Sequence, residues 1–196
     1  KNETAFVFVI DEINRAEISK VFGELFFSID PGYRGEKGKV KTQYANLQDA
    51  DDVFVDGFFV PENVYIIGTM NDIDRSVESM DFAMRRRFAW KEVKAEDRIS
   101  MWDERIENWK DDAIKRMNSL NKAIEGIPSL SCAYHIGPAY FLKLENYQNE
   151  INPFDNLWNN HLEGVVFEYL RGLPDSEELM SKLKNAYNNL IDVEND

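Results

Sequence analysis

The sequence predicts an α/β unit followed by an all-helical unit, and two observations support this fold class. Two apolar runs of β-forming residues, at 6–10 and 64–68, are typical of buried strands in a parallel sheet covered on both faces. From Glu96 onward the apolar residues recur at helical spacing instead. We therefore predict an α/β core over residues 1–94 and a helical unit over residues 95–196.

The composition indicates a packed globular chain with an acidic surface. Hydrophobic residues make up 43% of the 196 residues, and 36 acidic against 23 basic side chains give a formal net charge of -13. Phosphate binding needs clustered Lys and Arg, so this acidity argues against a general nucleic-acid surface but leaves a local nucleotide site open. The one cysteine, Cys132, excludes an internal disulfide, and no apolar run reaches the length of a membrane span. We expect a cytoplasmic protein without membrane contact.

A helix is predicted directly after the first strand. Asn14 and Glu17 have the spacing of a capping box, in which an N-cap side chain and an acid three residues later satisfy each other's backbone donors. Apolar residues follow at helical spacing from Ile18 to Ile29, and Pro31 ends the pattern. This apolar stripe is expected to face the sheet.

Residues 33–60 predict a hairpin, with arms at 40–44 and 53–60 and an acidic loop between them. Lys37, Lys39 and Lys41 form the basic patch of the first half of the chain. A solvated hairpin is the interpretation that we favour over a finger that contacts a substrate.

The second strand, 64–68, leads into a helix for which Ser76 is the predicted N-cap. That helix is expected to end near Arg86, with Met84 facing inward, and a third short strand is predicted at 88–90. The first unit is therefore expected to contain three strands with helices between them.

The second half of the sequence predicts helices joined by turns. One long amphipathic helix is expected from Ile99 to Glu125, and a turn-rich link with a short helix follows it. Two further helices are predicted at 153–170 and 176–190.

Polar side chains that suit nucleotide hydrolysis follow the two long strands. Ligands of open α/β sheets bind beyond the carboxyl ends of the strands, and Asp11 and Glu12 come directly after the first strand. One acid can hold the hydration shell of Mg²⁺ and the next can activate a water, which is the Walker B arrangement of P-loop nucleoside triphosphatases. No segment matches the phosphate-loop pattern G-x-x-x-x-G-K-[ST]. The chain is therefore predicted to be the second half of such an enzyme, and an exposed strand edge at the first strand suggests that the other half lies upstream.

Four pieces occur in order along the chain: an acidic strand end, a polar strand end, a helix and an arginine cluster. In this order they resemble the AAA+ fold, with its Walker B, sensor I and arginine-finger motifs and a helical lid. The closer resemblance is to the GTPase subunits of McrBC methylation-dependent restriction systems. It rests on DEINRA (11–16), VFGE (21–24), RGE (34–36), VPENVYIIGTMN (60–71), DRS (74–76) and RRRF (85–88). The resemblance is dense from Phe6 to Phe88 and thins beyond, where IGPAYF (136–141) is the familiar patch.

The resemblance implies a role for each polar residue at the strand ends. Asp11 would bind Mg²⁺ through water, Glu12 would orient the attacking water, and Asn71 would act as sensor I on that water or the γ-phosphate. Asp74 and Arg75 would complete the nucleotide-binding loop that follows, in which Asp72 adds a negative charge near the phosphates.

The arginine cluster at 85–87 has two interpretations. Cations are favoured at a helix C-terminus, and Asp81 has the spacing to pair with Arg85, so one arginine is expected to be structural. The resemblance implies that Arg86 and Arg87 reach the γ-phosphate of a neighbouring subunit, as arginine fingers do. Hydrolysis would then require a ring of subunits, which is hexameric in this family.

The predicted lid offers no arginine at the position expected for sensor II. His135 or the backbone at Gly137 is placed to approach the nucleotide instead, although a histidine beside apolar residues is more typically a core or loop residue. The two histidines, His135 and His161, are far apart in sequence, so no metal-ligand cluster is predicted.

The resemblance implies the C-terminal part of a motor subunit that hydrolyses GTP or ATP with Mg²⁺. In this family hydrolysis drives DNA translocation and cleavage by a McrC-like nuclease partner at 5-methylcytosine sites, and DNA is read by an N-terminal domain. The chain by itself, without a phosphate loop, is expected to be inactive and not to read DNA. Two alternatives stay open, an ATP-dependent remodelling protein of the MoxR or dynein-like branch and a non-catalytic assembly module.

Overall fold

The computed structural model describes residues 4–71, 73 and 82–189. The chain divides into two compact units, Lys1–Trp90 and Lys91–Asp196, and each has its own apolar core. Among the described residues, no helix combines the length and the apolar character that a membrane span needs.

The first unit is built on two parallel strands, β1 (Phe6–Ile10) and β2 (Val64–Gly68). Both strands agree with the sequence prediction, and their register pairs Phe6 with Val64 and Ile10 with Gly68. The predicted burial of β1 is wrong, because the side chains from Phe6 to Val9 are 56–58% exposed. Among the described residues the sheet has these two strands, and the exposure of β1 shows that neighbouring elements cover it only in part.

The third strand predicted at 88–90 does not form. The backbone there is irregular, and Trp90 turns back onto the preceding helix α2 (Phe82–Arg85). Its indole Nε1 donates to the carbonyl oxygen of Arg85 at 2.9 Å, and the Arg85 guanidinium lies 5.6 Å from the centre of the ring. Trp90, which was predicted to belong to the third strand, therefore packs on the residue that ends α2 instead.

The helix predicted after β1 is broken into shorter pieces. A 3₁₀ turn at Ile13–Arg15 precedes α1 (Ile18–Phe22), and a second 3₁₀ segment spans Gly23–Ile29. Gly23 has φ 51°, which interrupts the helical hydrogen bonding and explains why one continuous helix does not form. The predicted capping by Asn14 is also wrong, since Glu17 occupies the N-cap position of α1 and no side chain caps it.

The hairpin predicted at 33–60 does not form as two strands, and one antiparallel bridge joins Val40 to Phe58 instead. The backbone N–H of each of these residues donates to the carbonyl oxygen of the other, at 2.9 and 2.8 Å. Gly57 makes the bridge possible, because at φ +111° any Cβ there would lie 2.8 Å from the Val40 carbonyl oxygen. The rest is 3₁₀ turns at Pro31–Tyr33, Glu36–Gly38 and Ala45–Leu47.

The basic patch of this segment is partly neutralised. Lys39 pairs with Glu36 at 2.9 Å, and Lys37 lies 3.6 Å from a Glu62 oxygen. Arg34 connects the turns to the sheet, because its guanidinium donates to the carbonyl oxygens of Ile29 and Val64. Burial lowers the pKa of Arg34.

The apolar centre of the first unit lies under the strand ends. Ile13, Ile29 and Met84 are buried, as expected for Met84, and partly buried neighbours pack against them. These neighbours are Ile10, Ile18, Phe22, Phe26, Ile66, Met70 and Phe88. The helix start predicted at Ser76, with Val77 and Met80, lies outside the described residues.

The second unit is helical, as predicted, with changed boundaries. Its helices are α3 (Lys110–Glu125), α4 (Pro138–Phe141), α5 (Pro153–Leu157), α6 (Glu163–Leu170) and α7 (Ser176–Asn188). A π-helical turn, Trp158–Leu162, joins α5 to α6, and 3₁₀ segments span Glu96–Trp102, Glu107–Trp109, Cys132–Tyr134 and Leu142–Tyr147.

The long helix predicted from Ile99 is wrong in its first part, because the chain turns at Glu104. This residue has φ 67°, a left-handed conformation that a helix cannot contain. Trp102 and Ile106, on either side of the turn, are nevertheless buried. The apolar periodicity therefore predicted correctly which residues are buried, but it wrongly predicted one continuous helix.

A buried polar contact fixes the segment after α3 against that helix. The side chain of Asn121 donates to the Ile136 carbonyl oxygen at 3.1 Å and accepts from the Ile136 N–H at 2.8 Å. Asn121 is only 5% exposed, so one amide side chain satisfies both backbone groups of Ile136 away from water.

We predict that Asn121→Ala lowers the free energy of unfolding by about 1–3 kcal/mol, because it leaves buried backbone groups of Ile136 without partners. Asn118→Ala is the matched control, since Asn118 lies exposed on the same helix and the change in helix propensity is the same. Urea unfolding followed by tryptophan fluorescence measures both, and equal stability of the two variants would contradict the assigned contact.

Candidate functional site

The polar residues at the ends of β1 and β2 meet at one edge of the sheet. Because Ile10 pairs with Gly68 in a parallel register, the residues that follow each strand are neighbours. Backbone hydrogen bonds continue past the strands, from the Thr69 N–H to the Ile10 carbonyl at 3.0 Å and from the Ile13 N–H to the Thr69 carbonyl at 2.8 Å. The acidic pair and the Thr69–Met70–Asn71 segment are therefore held together.

The Thr69 hydroxyl lies at the centre of this arrangement. It accepts a hydrogen bond from the Glu12 N–H at 3.0 Å and donates to Oδ1 of Asp11. No local sequence pattern indicates this role, since a threonine after a strand is common. Only the strand register places Thr69 opposite the acidic pair.

Glu12 has a strained backbone and an exposed carboxylate. Its φ and ψ of 50° and 51° are in the left-handed region, which non-glycine residues seldom adopt. Its Oε2 lies 2.6 Å from Nε of Arg15, and both side chains are about half exposed, at 51% and 55%. The carboxylate is thus accessible to water while its orientation is biased by a neighbouring cation.

Asn71 is exposed at the end of the second segment. Its side-chain Oδ1 accepts from the Ile73 N–H at 3.4 Å, and its carbonyl oxygen accepts from Nδ2 of Asn14 at 3.0 Å. Asn14, which the sequence suggested as a helix cap, therefore links the two strand-end segments. The structure brings Asp11, Glu12 and Asn71 to one edge, whereas Asp72, Asp74 and Arg75 lie outside the described residues.

The two candidate finger arginines have different surroundings. Arg86 follows α2 and is exposed, with its guanidinium 5.3 Å from the ring centre of Phe82 in that helix. Arg87 is half-buried, lies 4.2 Å from the Phe26 ring centre and donates to the Ala83 carbonyl oxygen at 2.7 Å. Arg87 therefore makes packing contacts within its unit, while Arg86 extends along the surface.

The exposed Asp11 carboxylate fits Mg²⁺ that is bound through water. Mg²⁺ usually keeps several waters and uses one or two carboxylates together with substrate phosphates. The described residues hold no group of three His, Cys, Asp or Glu side chains that would form a metal cage. A single exposed carboxylate, oriented by a hydroxyl donor, is consistent with this water-rich mode of binding.

Titratable side chains in the helical unit pair with one another locally. His135 lies 3.1 Å from a Glu125 oxygen, and His161 lies within hydrogen-bonding distance of the Tyr147 hydroxyl at 2.9 Å. Burial, with a smaller contribution from Lys143, lowers the pKa of His161. Neither histidine belongs to a group of three or more metal-ligating side chains among the described residues.

Two parallel strands with acidic and polar side chains at their carboxyl ends are consistent with the α/β fold of a nucleotide-binding protein. Residues 2–88 match the model of the AAA domain of the dynein-related subfamily. Over 146 residues the chain is 36% identical to the Type IV methyl-directed restriction enzyme EcoKMcrB subunit of Escherichia coli (strain K12), a match covering 71% of this chain and 30% of that protein. These matches identify the chain as a McrB-like AAA+ protein, as the sequence motifs had indicated.

A second relative is also a restriction component. The chain is 27% identical over 181 residues to the Type II restriction enzyme BsuMI component YdiS of Bacillus subtilis (strain 168). That match covers 85% of this chain and 50% of the relative, so the chain spans half or less of the length of both proteins.

Gly68 provides a test of the packing beneath the site. A Cβ at Gly68 would lie 2.8 Å from Cδ1 of Ile13, whereas a Cβ at Gly164 in α6 would meet nothing within 4 Å. We expect Gly68→Ala to lower the free energy of unfolding by about 1–2 kcal/mol, because Ile13 must shift. Gly164→Ala should be neutral or stabilise the helix by about 0.5–1 kcal/mol.

Urea unfolding followed by circular dichroism compares the two glycine variants. A Gly68→Ala protein as stable as the Gly164→Ala protein would show that Ile13 does not pack against the end of β2.

Proposed function

We propose that the chain is the C-terminal part of a nucleoside triphosphatase subunit that hydrolyses GTP in a modification-dependent restriction system. The observation that carries the proposal is the hydrogen-bonded contact between the acidic end of β1 and the polar end of β2. The similarity to two restriction components supports the biological setting. The length of those relatives supports a larger protein that contains the remaining nucleotide-binding elements.

The chemistry follows from the positions of three side chains. Phosphoryl transfer is catalysed mainly by positioning and by stabilisation of charge. Glu12 orients the attacking water with its accessible carboxylate, and Asn71 holds that water or the γ-phosphate by its amide. Through water, Asp11 would hold Mg²⁺, which would supply positive charge beside the phosphates. Asp74 and Arg75 are proposed to contact the nucleotide on the sequence pattern alone.

Arg86 is the stronger candidate for an arginine finger that acts on a neighbouring subunit. It is exposed, and its guanidinium lies 5.3 Å from the ring centre of Phe82, which is itself exposed at the start of α2. The role proposed for Arg87 is weaker, because Arg87 packs on Phe26 and binds the Ala83 carbonyl. A finger in trans requires a homo-oligomeric ring, which we propose to be hexameric.

The partners follow from the same assignment. We propose that the ring recruits a McrC-like nuclease and that hydrolysis drives translocation and cleavage of DNA containing 5-methylcytosine. The net charge of -13 supports DNA recognition by another part of the protein. The helical unit is proposed to act as the lid over the nucleotide, and the cytoplasm is the proposed location.

A second candidate function is ATP-dependent remodelling of the MoxR or dynein-like type. The match to the dynein-related AAA subfamily favours it, and that activity would use the same acids and asparagine. The preferred base of the nucleotide separates the two proposals. A non-catalytic assembly module is the remaining alternative, and it predicts no hydrolysis of either nucleotide.

Glu12→Gln tests the proposed activity in the complete protein that carries this chain. We expect GTP hydrolysis to fall by about 100-fold or more, because the amide cannot act as a base toward water. Glu62→Gln is the matched control, since Glu62 lies just before β2, at the opposite end of the sheet. Steady-state hydrolysis of GTP and ATP is measured with and without the nuclease partner.

The outcomes of this experiment separate the alternatives. GTP preference that the nuclease partner stimulates and Glu12→Gln abolishes supports the restriction motor. A preference for ATP moves the protein to the remodelling class. If the unmodified protein hydrolyses neither nucleotide, the result supports the non-catalytic assembly module.

A mixing experiment tests the trans role of Arg86. Glu12→Gln and Arg86→Ala subunits should each be inactive alone, yet a mixture should hydrolyse nucleotide. Roughly a quarter of the interfaces in a random equimolar ring combine an intact Glu12 with an intact Arg86 from its neighbour.

A mixture of Glu12→Gln and Asp11→Asn subunits is the control. Every site in that mixture takes both acids from one subunit, so no intact site forms. An inactive mixture of Glu12→Gln and Arg86→Ala subunits that still assembles would exclude the trans role.

A further inference from the structure

We propose that Thr69 is a positioning residue for the hydrolysis, acting through both acids at the end of β1. This inference rests on the proposed function and adds a residue to it. Thr69 does not need to touch the nucleotide for this role. Its hydroxyl sets the backbone of Glu12 and the carboxylate of Asp11 at the same time.

The hydrogen bonds run in opposite directions through one oxygen atom. A hydroxyl has one donor and two acceptor sites. Thr69 Oγ1 accepts from the Glu12 N–H at 3.0 Å and uses its own proton toward Oδ1 of Asp11. Because the Thr69 hydroxyl proton is directed at the Asp11 carboxylate, a lone pair of the same oxygen faces the Glu12 N–H.

Glu12 needs such a partner because of its backbone conformation. At φ 50° and ψ 51° it is in a region that persists only where surrounding contacts determine it. The bond to Thr69 holds its N–H, and the adjacent Ile13 N–H is held by the Thr69 carbonyl at 2.8 Å. Thr69, which directly follows β2, therefore holds the consecutive N–H groups of Glu12 and Ile13 in the turn that carries the Glu12 carboxylate.

Asp11 is affected through the other bond. The hydroxyl holds Oδ1 of Asp11 and so sets the plane of the carboxylate that we assign to Mg²⁺ binding through water. Small displacements of groups that position a reacting atom reduce rates strongly. Loss of the hydroxyl should therefore reduce turnover and weaken the response to Mg²⁺, with little effect on nucleotide affinity.

Because Thr69 is exposed, substitutions there can test its hydroxyl without creating a cavity in the core. Thr69 is exposed at the end of β2, so Thr69→Val removes the hydroxyl and preserves the shape without disturbing a core. Thr69→Ser retains the hydroxyl and loses only a methyl group. Thr69→Ala is the second variant without a hydroxyl, for use if the valine protein folds poorly.

The first readout is amide hydrogen exchange at Glu12 in the metal-free and nucleotide-free protein. We expect about 10-fold faster exchange in Thr69→Val and near-wild-type exchange in Thr69→Ser. The Val40 amide, bonded to Phe58 elsewhere in the same unit, is the internal control.

The second readout is steady-state hydrolysis by the complete protein. We expect kcat to fall by about 10- to 100-fold in Thr69→Val, the nucleotide KM to stay within about twofold, and the Mg²⁺ concentration for half-maximal rate to rise. Thr69→Ser should restore all three values. A merely structural role would not produce this separation of kcat from KM with rescue by serine.

The results distinguish failure of this inference from failure of the proposed function. Unchanged Glu12 exchange in both variants without a hydroxyl, or unchanged kcat and Mg²⁺ response in an active protein, would overturn the role of Thr69. An unmodified protein that hydrolyses neither nucleotide would instead overturn the proposed function, while the Glu12 exchange rates would still show whether the hydroxyl holds the turn.

Discussion

The parallel pairing of β1 with β2 is the constraint on which the candidate site depends. The register sets Ile10 opposite Gly68, and this places the next residues of both segments side by side. A shift of one residue would turn every side chain of the shifted strand to the other face and separate the Thr69 hydroxyl from Asp11 and Glu12. Gly68 contributes by leaving space for Ile13, whose side chain anchors the turn after the acids in the core of the first unit.

The contacts around the strand ends assign different tasks to similar side chains. Asn14 and Asn71 belong to different segments, yet a hydrogen bond of 3.0 Å joins them and leaves the Asn71 amide at the surface. Arg86 and Arg87 are adjacent in sequence, but Arg87 is committed to a ring and a carbonyl of its own unit. Successive side chains leave the backbone in different directions, so Arg87 packs within its unit while Arg86 is exposed.

The helical unit is held by an apolar core that tolerates breaks in its helices. Trp102, Phe141, Trp158 and Tyr187 are buried and lie near one another as ring pairs, with centroid distances of 5.1–6.4 Å. The chain turns at Glu104, and Asn121 satisfies the backbone of Ile136 after α3 ends. Burial of large side chains is non-directional, so the core forms although the predicted long helix is divided.

The sequence by itself determined the class of fold, the two long strands, the helical character of the second half and the acids at the first strand end. These features depend on local patterns, namely apolar runs, helical periodicity and motifs that are contiguous in the chain. Tertiary structure decided the breaks at Gly23 and Glu104, the loss of the strand at 88–90, and the contacts of Thr69, Asn14 and Arg87. Those contacts join residues such as Asp11 and Thr69, 58 positions apart, and their geometry depends on strand register and packing, which no local pattern specifies.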